Sequence, residues 1–541
     1  MAKFRNQGLK EKLDSTKPKK NLVAKMSVPK PDAKNKQGFE AYSIDNWLRL
    51  ISLLNTSKLE SQFYRSESDT MKELKSLINV CGKEDPYFVA QCIVYSRCLG
   101  EGMRSINHLG AVYLAPHMSG KDWGKRFFSL WDKKAQKGGT IYRPDDMSEI
   151  VAAFTAMNDK SITNAMKKGF KEALENMDSY SLLKYKKSVM DLINLVHPDP
   201  SKSKATVTHN GASVPTFEAI IKGYNVSADT WEVAQSDAGQ VVAQAVREGK
   251  LSATEAKEVL TEQKSENWKG LLTEGKLGIL AAIRNLRNIL TNKPESSTID
   301  TLCDLLSDGE MIKKGKIMPY QLDLANEVMN SEFSDVNSRK LSKALLRGYE
   351  LAVPNLKDLL SGNNLVIIDM SGSMSSRIAD PNKKATYTSS CMDKACLIGM
   401  TIAKATNADV IRFGSDAEYV KYNANADVFS LAKSVKKDMG MTSLSSAWRL
   451  AQSSGRKYDR VFILSDNECN VSSTYRSYTS YVEKVGDPYV YSVDMAAYGT
   501  TAIAGPKVRY YFGYGMSMFE DIAKSEFNPT YHLDKIRKIV I

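Results

Sequence analysis

From Phe39 to about Asn355 apolar residues recur three and four positions apart in one segment after another. That spacing gives a helix a single buried stripe. Trp47-Leu48-x-Leu50-Ile51-x-Leu53-Leu54 and Phe88-Val89-x-x-Cys92-Ile93-Val94-Tyr95 are two examples. A third runs from Leu182-Leu183-x-Tyr185 into Met190-x-Leu192-Ile193-x-Leu195-Val196. About fifteen such helices follow one another without a strand between them, which predicts a HEAT-like α-solenoid of stacked pairs. No fixed sequence period accompanies the pattern. Lys202 to Asn225, rich in Ser, Thr, Asn and Gly, predicts a long loop.

Near Ser361-Gly362 the pattern switches. Short apolar runs (Leu365 to Ile368, Val410 to Phe413, Val461 to Leu464, Tyr489 to Val493, Val508 to Phe512) alternate with helical segments (Cys391 to Thr406, Leu444 to Ser454, Tyr475 to Val485, Ser517 to Ser525, Leu533 to Val540). Alternation of this kind predicts a doubly wound α/β domain over residues 361–541, after a helical module over 38–360. Residues 1–37 mix Lys, Pro, Asn and Ser without apolar periodicity and predict a basic flexible arm. An arm that touches phosphates and a solvated tail fit that composition equally.

At 541 residues and 42% hydrophobic content the chain can bury more than one core. No apolar stretch approaches the roughly 20 residues of a membrane helix, and the basic start lacks the apolar centre of a secretion signal. The seven cysteines are scattered with no C-x-x-C pair, which predicts neither a disulfide framework nor a zinc knuckle and points to a reducing cytoplasmic setting. The net charge of +13 is concentrated at the front: residues 1–38 hold 11 Lys/Arg against 3 Asp/Glu, residues 39–360 hold 42 against 41. A polyanion site in the middle of the chain is therefore a local patch.

One stretch carries distinctive chemistry. Leu365-Val366-Ile367-Ile368-Asp369-Met370-Ser371-Gly372-Ser373 reads as a buried strand delivering a carboxylate and two hydroxyls to a tight loop. Ligands in open α/β sheets bind at that carboxyl edge, and all-oxygen donors suit Mg²⁺ or Mn²⁺ rather than zinc. A second apolar strand ends in Asp466, and Gly440-Met441-Thr442-Ser443 opens a helix with hydroxyls. Asp369, Ser371, Ser373, Thr442 and Asp466 resemble, in order and setting, the metal-ion-dependent adhesion site of a von Willebrand factor A domain. The resemblance implies hydroxyls directly on the ion and carboxylates acting mostly through water. It also implies an open position for an anion, such as an acidic residue of a partner protein. Hydrolytic two-metal sites need clustered carboxylates instead, and no G-x-x-x-x-G-K-[ST], H-E-x-x-H or G-x-S-x-G motif occurs. A binding protein is expected, not an enzyme.

A helical solenoid followed by an A domain resembles the Ro ribonucleoprotein family, whose TROVE module of helical repeats is closed into a ring by an A domain. Further matches are Met103-Arg104-Ser105; Lys184-Tyr185-Lys186-Lys187 with Asp191-Leu192-Ile193-Asn194-Leu195-Val196-His197-Pro198; Trp268-Lys269-Gly270-Leu271-Leu272 leading to Ile283-Arg284-Asn285-Leu286; Ile317-Met318-Pro319-Tyr320; and Asp466-Asn467-Glu468. The resemblance implies a monomeric ring that holds small noncoding RNA on its outer face and single-stranded RNA ends in its hole, with an exoribonuclease as one kind of partner. Between Lys187 and Asp191 the chain has only Ser188-Val189-Met190, where the family has a longer stretch ending Gly-Trp-Ser-His. General RNA binding is what the resemblance carries over, not Y-type RNA specificity.

The candidate RNA residues follow from charge and from those matches. Residues 160–187 hold seven lysines against three acids. Lys167, Lys168 and Lys171 share one helix flank, a surface phosphates can line as readily as water. Lys184, Lys186, Lys187 and His197 match positions the family uses for RNA. Arg104 lies in a matched segment, and Arg284 and Arg287, three apart, fit the lining of the hole as well as a structural ion pair. Tyr185 fits base stacking or core. A protein adaptor with no RNA role, gripping one partner at the metal and another along the solenoid, is the alternative function.

Overall fold

The computed structural model describes residues 28–541, apart from 57–63, 101, 133, 159–160, 225, 227–238, 240, 316, 318, 354–355, 376–389, 513–517, 527 and 529. Lys160 of the lysine-rich segment therefore lies outside the described residues. From Asn46 to Leu359 the chain is a succession of helices in which near neighbours in sequence pack together. Local chemistry sets their ends. Ser66 caps helix Glu67–Glu84 by accepting from Asp69 N, and Leu74, Leu77, Ile78 and Cys81 form its buried stripe. Asp85 ends that helix and caps the next, Pro86–Val94, through a bond from Phe88 N at 2.9 Å. Among the described residues no helix is long and apolar enough to cross a membrane.

The helices divide between two cores. Those from Asn46 to Ile221 share one, with Leu50, Phe88, Phe127 and Phe170 at its centre. Those from Trp268 onward share another, continuous with one face of the C-terminal sheet. The helical and α/β regions are thus welded at residue 360: Tyr349 Oη bonds Thr401 Oγ1 across the seam.

In the C-terminal region β5 (Asn364–Asp369), β6 (Asp409–Phe413), β7 (Ala417–Tyr419), β8 (Arg460–Ser465), β9 (Tyr489–Asp494) and β11 (Val508–Phe512) form one sheet in the order β11-β9-β8-β5-β6-β7. All pairs are parallel except the β7 edge. From β5 the chain goes first to β6 on one side and later to β8 on the other, so the direction of winding reverses at β5 and β8. Their carboxyl ends flank the crevice where such sheets bind ligands. Two glycines are required here. Gly362, at φ +104°, leads into β5 where a Cβ would stand 2.5 Å from Asp459 Oδ2, and Gly399 lets helix Cys391–Thr406 approach Ile368. That helix starts with a capping box formed by Ser390 and Asp393. Ser390→Ala is expected to cost about 1 kcal/mol, read as a lower urea midpoint with an unchanged slope.

Three expectations are corrected. Residues 28–37, placed in the flexible arm, belong partly to the fold: Val28 is buried against the sheet, and β1 (Ala33–Lys34) pairs with β2 (Glu40–Ser43). The loop expected over 202–225 contains a hairpin, β3 (Thr206–His209) and β4 (Ala212–Pro215), followed by helix Thr216–Ile221. Strands therefore do occur within the helical region. One of the short strands has a distant partner that periodicity does not register: β2 also pairs with β10 (Thr500–Thr501) of the α/β region.

The C-terminus returns to the first core. Ile536, Ile539 and Ile541 are buried among its helices. Gln91 Nε2 donates to Arg537 O at 2.8 Å and to Ile539 O at 2.6 Å. Arg537 lies over the Phe88 ring at 3.6 Å and pairs with Asp85 at 3.1 Å. Both ends of the helical succession thus rest on the α/β region, making a closed circuit of contacts in a single chain.

Candidate metal centre and nucleic-acid surface

Asp369 ends β5 with no exposed surface. Its Oδ1 accepts Ser371 N at 2.9 Å and its Oδ2 accepts the Ser465 hydroxyl from the adjoining strand. The loop after it turns through Gly372–Ser375, bringing the Ser371 and Ser373 hydroxyls to 3.2 Å. Gly372 N donates to Gly440 O at 3.0 Å and Met439 N to Met370 O at 3.1 Å, which ties that loop to the segment carrying Thr442. Asn470 fixes Thr442 by accepting its N–H and donating to its carbonyl. Asp466 completes the set: its Oδ1 accepts Glu468 N at 3.1 Å and its carboxylate is hydrogen-bonded by Ser373. The five sequence-expected donors gather at one edge of the sheet, each at most 4% exposed.

Two acids join them that the motif alone did not single out. Glu468 lies two residues past Asp466, and Asp494 ends β9 opposite Ser465 in the parallel ladder. Asp494 follows an apolar strand as Asp369 does, so its signal was present in the sequence. Burial, then the Asp466 charge, pushes Asp369 up to about 7 and Glu468 up to about 8. Burial raises Asp494 to about 7 and raises Asp466 as well. Asp466 Oδ2, Glu468 Oε1 and Asp494 Oδ2 are buried without a hydrogen-bond donor, an arrangement expensive for a charge with no compensation. Among the described residues no three His, Cys, Asp or Glu side chains form a metal cluster. Asp369 and Asp466 with the three hydroxyls are the set that fits a hard divalent cation.

The lysines lie on helices of the first core. Helix Asn164–Asn176 buries Met166, Phe170, Ala173 and Leu174, exposes Lys168 and leaves Lys167 partly exposed. Lys171 stands 4.0 Å from Glu175. Lys184 ends helix Ser179–Lys184 with its ammonium 5.7 Å from the Tyr180 ring centroid. Lys186 and Lys187 open helix Lys186–Val196, which packs against Asn164–Asn176 and has no side-chain N-cap. His197 is the exposed left-handed C-cap of that helix, at φ 48°. Tyr185 is half-buried against the core, with Arg143 over its ring at 5.9 Å, so it is a packing residue.

The arginines stand apart. Arg284 and Arg287 are exposed on helix Ile279–Thr291 of the second core, and Arg287 pairs with Glu332 at 2.8 Å. Arg104, expected from a matched segment as an RNA residue, sits in an ion-pair cluster. It reaches Asp145 at 2.8 Å, Asp146 at 3.3 Å and Glu149 at 2.8 Å, partners more than forty residues on that no local pattern reveals. Arg104→Ala is expected to leave RNA affinity within about twofold, since no phosphate contact is removed. A filter-binding titration with a hairpin RNA checks this.

The chain is thus a helical succession closed on a doubly wound α/β domain that carries Asp-x-Ser-x-Ser at the sheet's carboxyl edge. The fold is similar to the crystal structure of the RO (RSR) protein of Deinococcus radiodurans, with a TM-score of 0.53 and 15% identity over 89% of this chain and 100% of that one. At that identity the likeness is one of fold. No family model matches the sequence.

Proposed function

We propose that this chain is a cytoplasmic RNA-binding scaffold of the Ro type. It holds small noncoding or misfolded structured RNA and its single-stranded ends, without enzymatic activity of its own, and presents them to an exoribonuclease. The observation that carries this reading is the lysine pair at the start of helix Lys186–Val196. Lys186 and Lys187 occupy the first turn, where the helix dipole is already positive and the backbone N–H groups lack a side-chain cap. Cations there oppose the dipole, and an anion such as a phosphate offsets both. The flanking Lys167 and Lys168 extend the patch along the backbone of a bound strand. The contact circuit supports a monomeric ring, and the absence of a cysteine pair among the seven thiols fits a reducing compartment.

Within this reading Asp369, Ser371, Ser373, Thr442 and Asp466 hold Mg²⁺, or Mn²⁺ in its place. The ion supplies positive charge among buried carboxylates. A gel-shift comparison of a hairpin with a single-stranded 3′ tail, the blunt hairpin and the tail alone tests the RNA role. Tightest binding of the tailed hairpin, retained in Asp369→Ala, is expected. Weak binding of all three would sink the RNA reading and favour the protein adaptor.

A further inference from the structure

The oxygen site does not face open solvent: residues from the start of the chain lie across it. Lys36 N donates to Glu468 Oε2 at 2.9 Å, and the buried Asn35 side chain donates to Cys469 O. The Tyr64 phenol hydrogen-bonds to the hydroxyl of Ser373, one of the five donors, lies within range of the Asp466 charge, and accepts from the Gln37 amide. Its ring meets Tyr498 edge-on at 5.5 Å. Arg65, 3% exposed, donates to Ala497 O at 2.8 Å just beyond Asp494. Beside these contacts β2 pairs with β10. Helix Asn46–Thr56, flanked by β2 and Tyr64, is thereby fastened to the loops that carry the site.

An ion ligated mainly by neutral hydroxyls keeps much of its charge and seeks a further oxygen. Among the described residues, Tyr64 and residues 35–37 stand beside the donors and their neighbouring acids. We propose that the site is an internal clasp: an ion held there is capped by Tyr64 and residues 35–37, and it fastens the first helices to the α/β domain instead of recruiting an acidic partner. The proposal rests on the metal reading above and is independent of RNA. It replaces the partner-protein carboxylate expected from the motif, because such a group would first have to displace Tyr64.

The test is magnesium chloride against EDTA on the full chain, with binding followed by calorimetry and amide exchange followed by mass spectrometry. If the cover opens only when the ion leaves, exchange in peptides spanning residues 35–43 and 64–75 slows by about a hundredfold at a magnesium concentration about 100 times its Kd. Tyr64→Ala should still bind magnesium but lose most of that slowing. Tyr64→Phe, which keeps the ring on Tyr498 and removes only the hydroxyl, should lose part of it. Magnesium binding without slower exchange in these peptides overturns the clasp while leaving the metal reading intact. Slowing that persists in both Tyr64 variants also overturns it, and failure of magnesium to bind overturns clasp and metal reading together.

Discussion

Replacing Lys168, Lys186 and Lys187 together with alanine is expected to weaken binding of a tailed hairpin by about a hundredfold. Three solvent-screened surface charge contacts at up to about 1 kcal/mol each amount to about two decades at about 1.4 kcal/mol per decade. The loss should be similar for RNAs of unrelated sequence, because phosphate contacts carry no base information. It should also flatten the dependence of log affinity on log salt by about 2 to 3, as each abandoned phosphate returns its counterion. These side chains are on the solvent side of helices whose opposite faces fill the first core, so the triple variant should melt with the wild type. A steep salt dependence retained in the variant would show that the phosphates lie elsewhere.

The second large effect concerns stability. Asp146 has no exposed surface and pairs with Arg97 at 2.8 Å, with His108 Nε2 at 3.0 Å and with Arg104 at 3.3 Å. Its Oδ2 also accepts Tyr142 N and Arg143 N, both at 2.8 Å, at the start of helix Pro144–Asn158. Asp146→Ala strands Arg97 and His108 in the core and is expected to cost about 3–5 kcal/mol, measured as a shifted urea midpoint. A cost under about 1 kcal/mol would mean that the core relaxes around the missing charge.

The same cluster sets a pH window. Burial alone would raise Asp146, but the His108 hydrogen bond and the Arg97 charge outweigh it and hold the carboxyl well below its usual range. Burial alone would lower His108, but its bonds to Asp146 and Glu149 raise it. The depressed Asp146 contributes stability above its unfolded value of about 4, lost as pH falls through the folded value. The raised His108 contributes fully below its unfolded value of about 6.5, and that part is lost as pH rises through the folded value. The cluster is therefore most stabilising between roughly pH 4 and 6.5. The Asp146→Ala deficit should shrink on either side of that window.

Much of the α/β domain could be read from the chain because its signals are local. Leu365 to Asp369 and Val461 to Asp466 are apolar runs closed by acids, and helix Cys391–Thr406 begins and ends where its Ser cap and its left-handed Asn407 place it. The five donors could be picked out because two short loops and two strand ends carry them. Where partners are remote the pattern failed. Residues 28–37 owe their order to Glu468, Cys469 and β2, and the ion pairs of Arg104 run to acids on a later helix. The hairpin at 206–215 was a different kind of miss. Asn210-Gly211 between Thr206-Val207-Thr208-His209 and Ala212-Ser213-Val214-Pro215 is a strong hairpin signal, masked by the polar composition around it. Tyr64 over Ser373 could not be read at all, since nothing local connects a tyrosine near the first helix to a loop three hundred residues later.

Placement of RNA on the first helical core is the central claim, and photocrosslinking tests it most directly. A tailed hairpin carrying 4-thiouridine in stem and tail is irradiated with the full chain, and the adducts are located by mass spectrometry. Adducts on helices Asn164–Asn176 and Lys186–Val196 are the expected result. Adducts confined to the α/β domain, or none at a concentration that saturates binding, would contradict it.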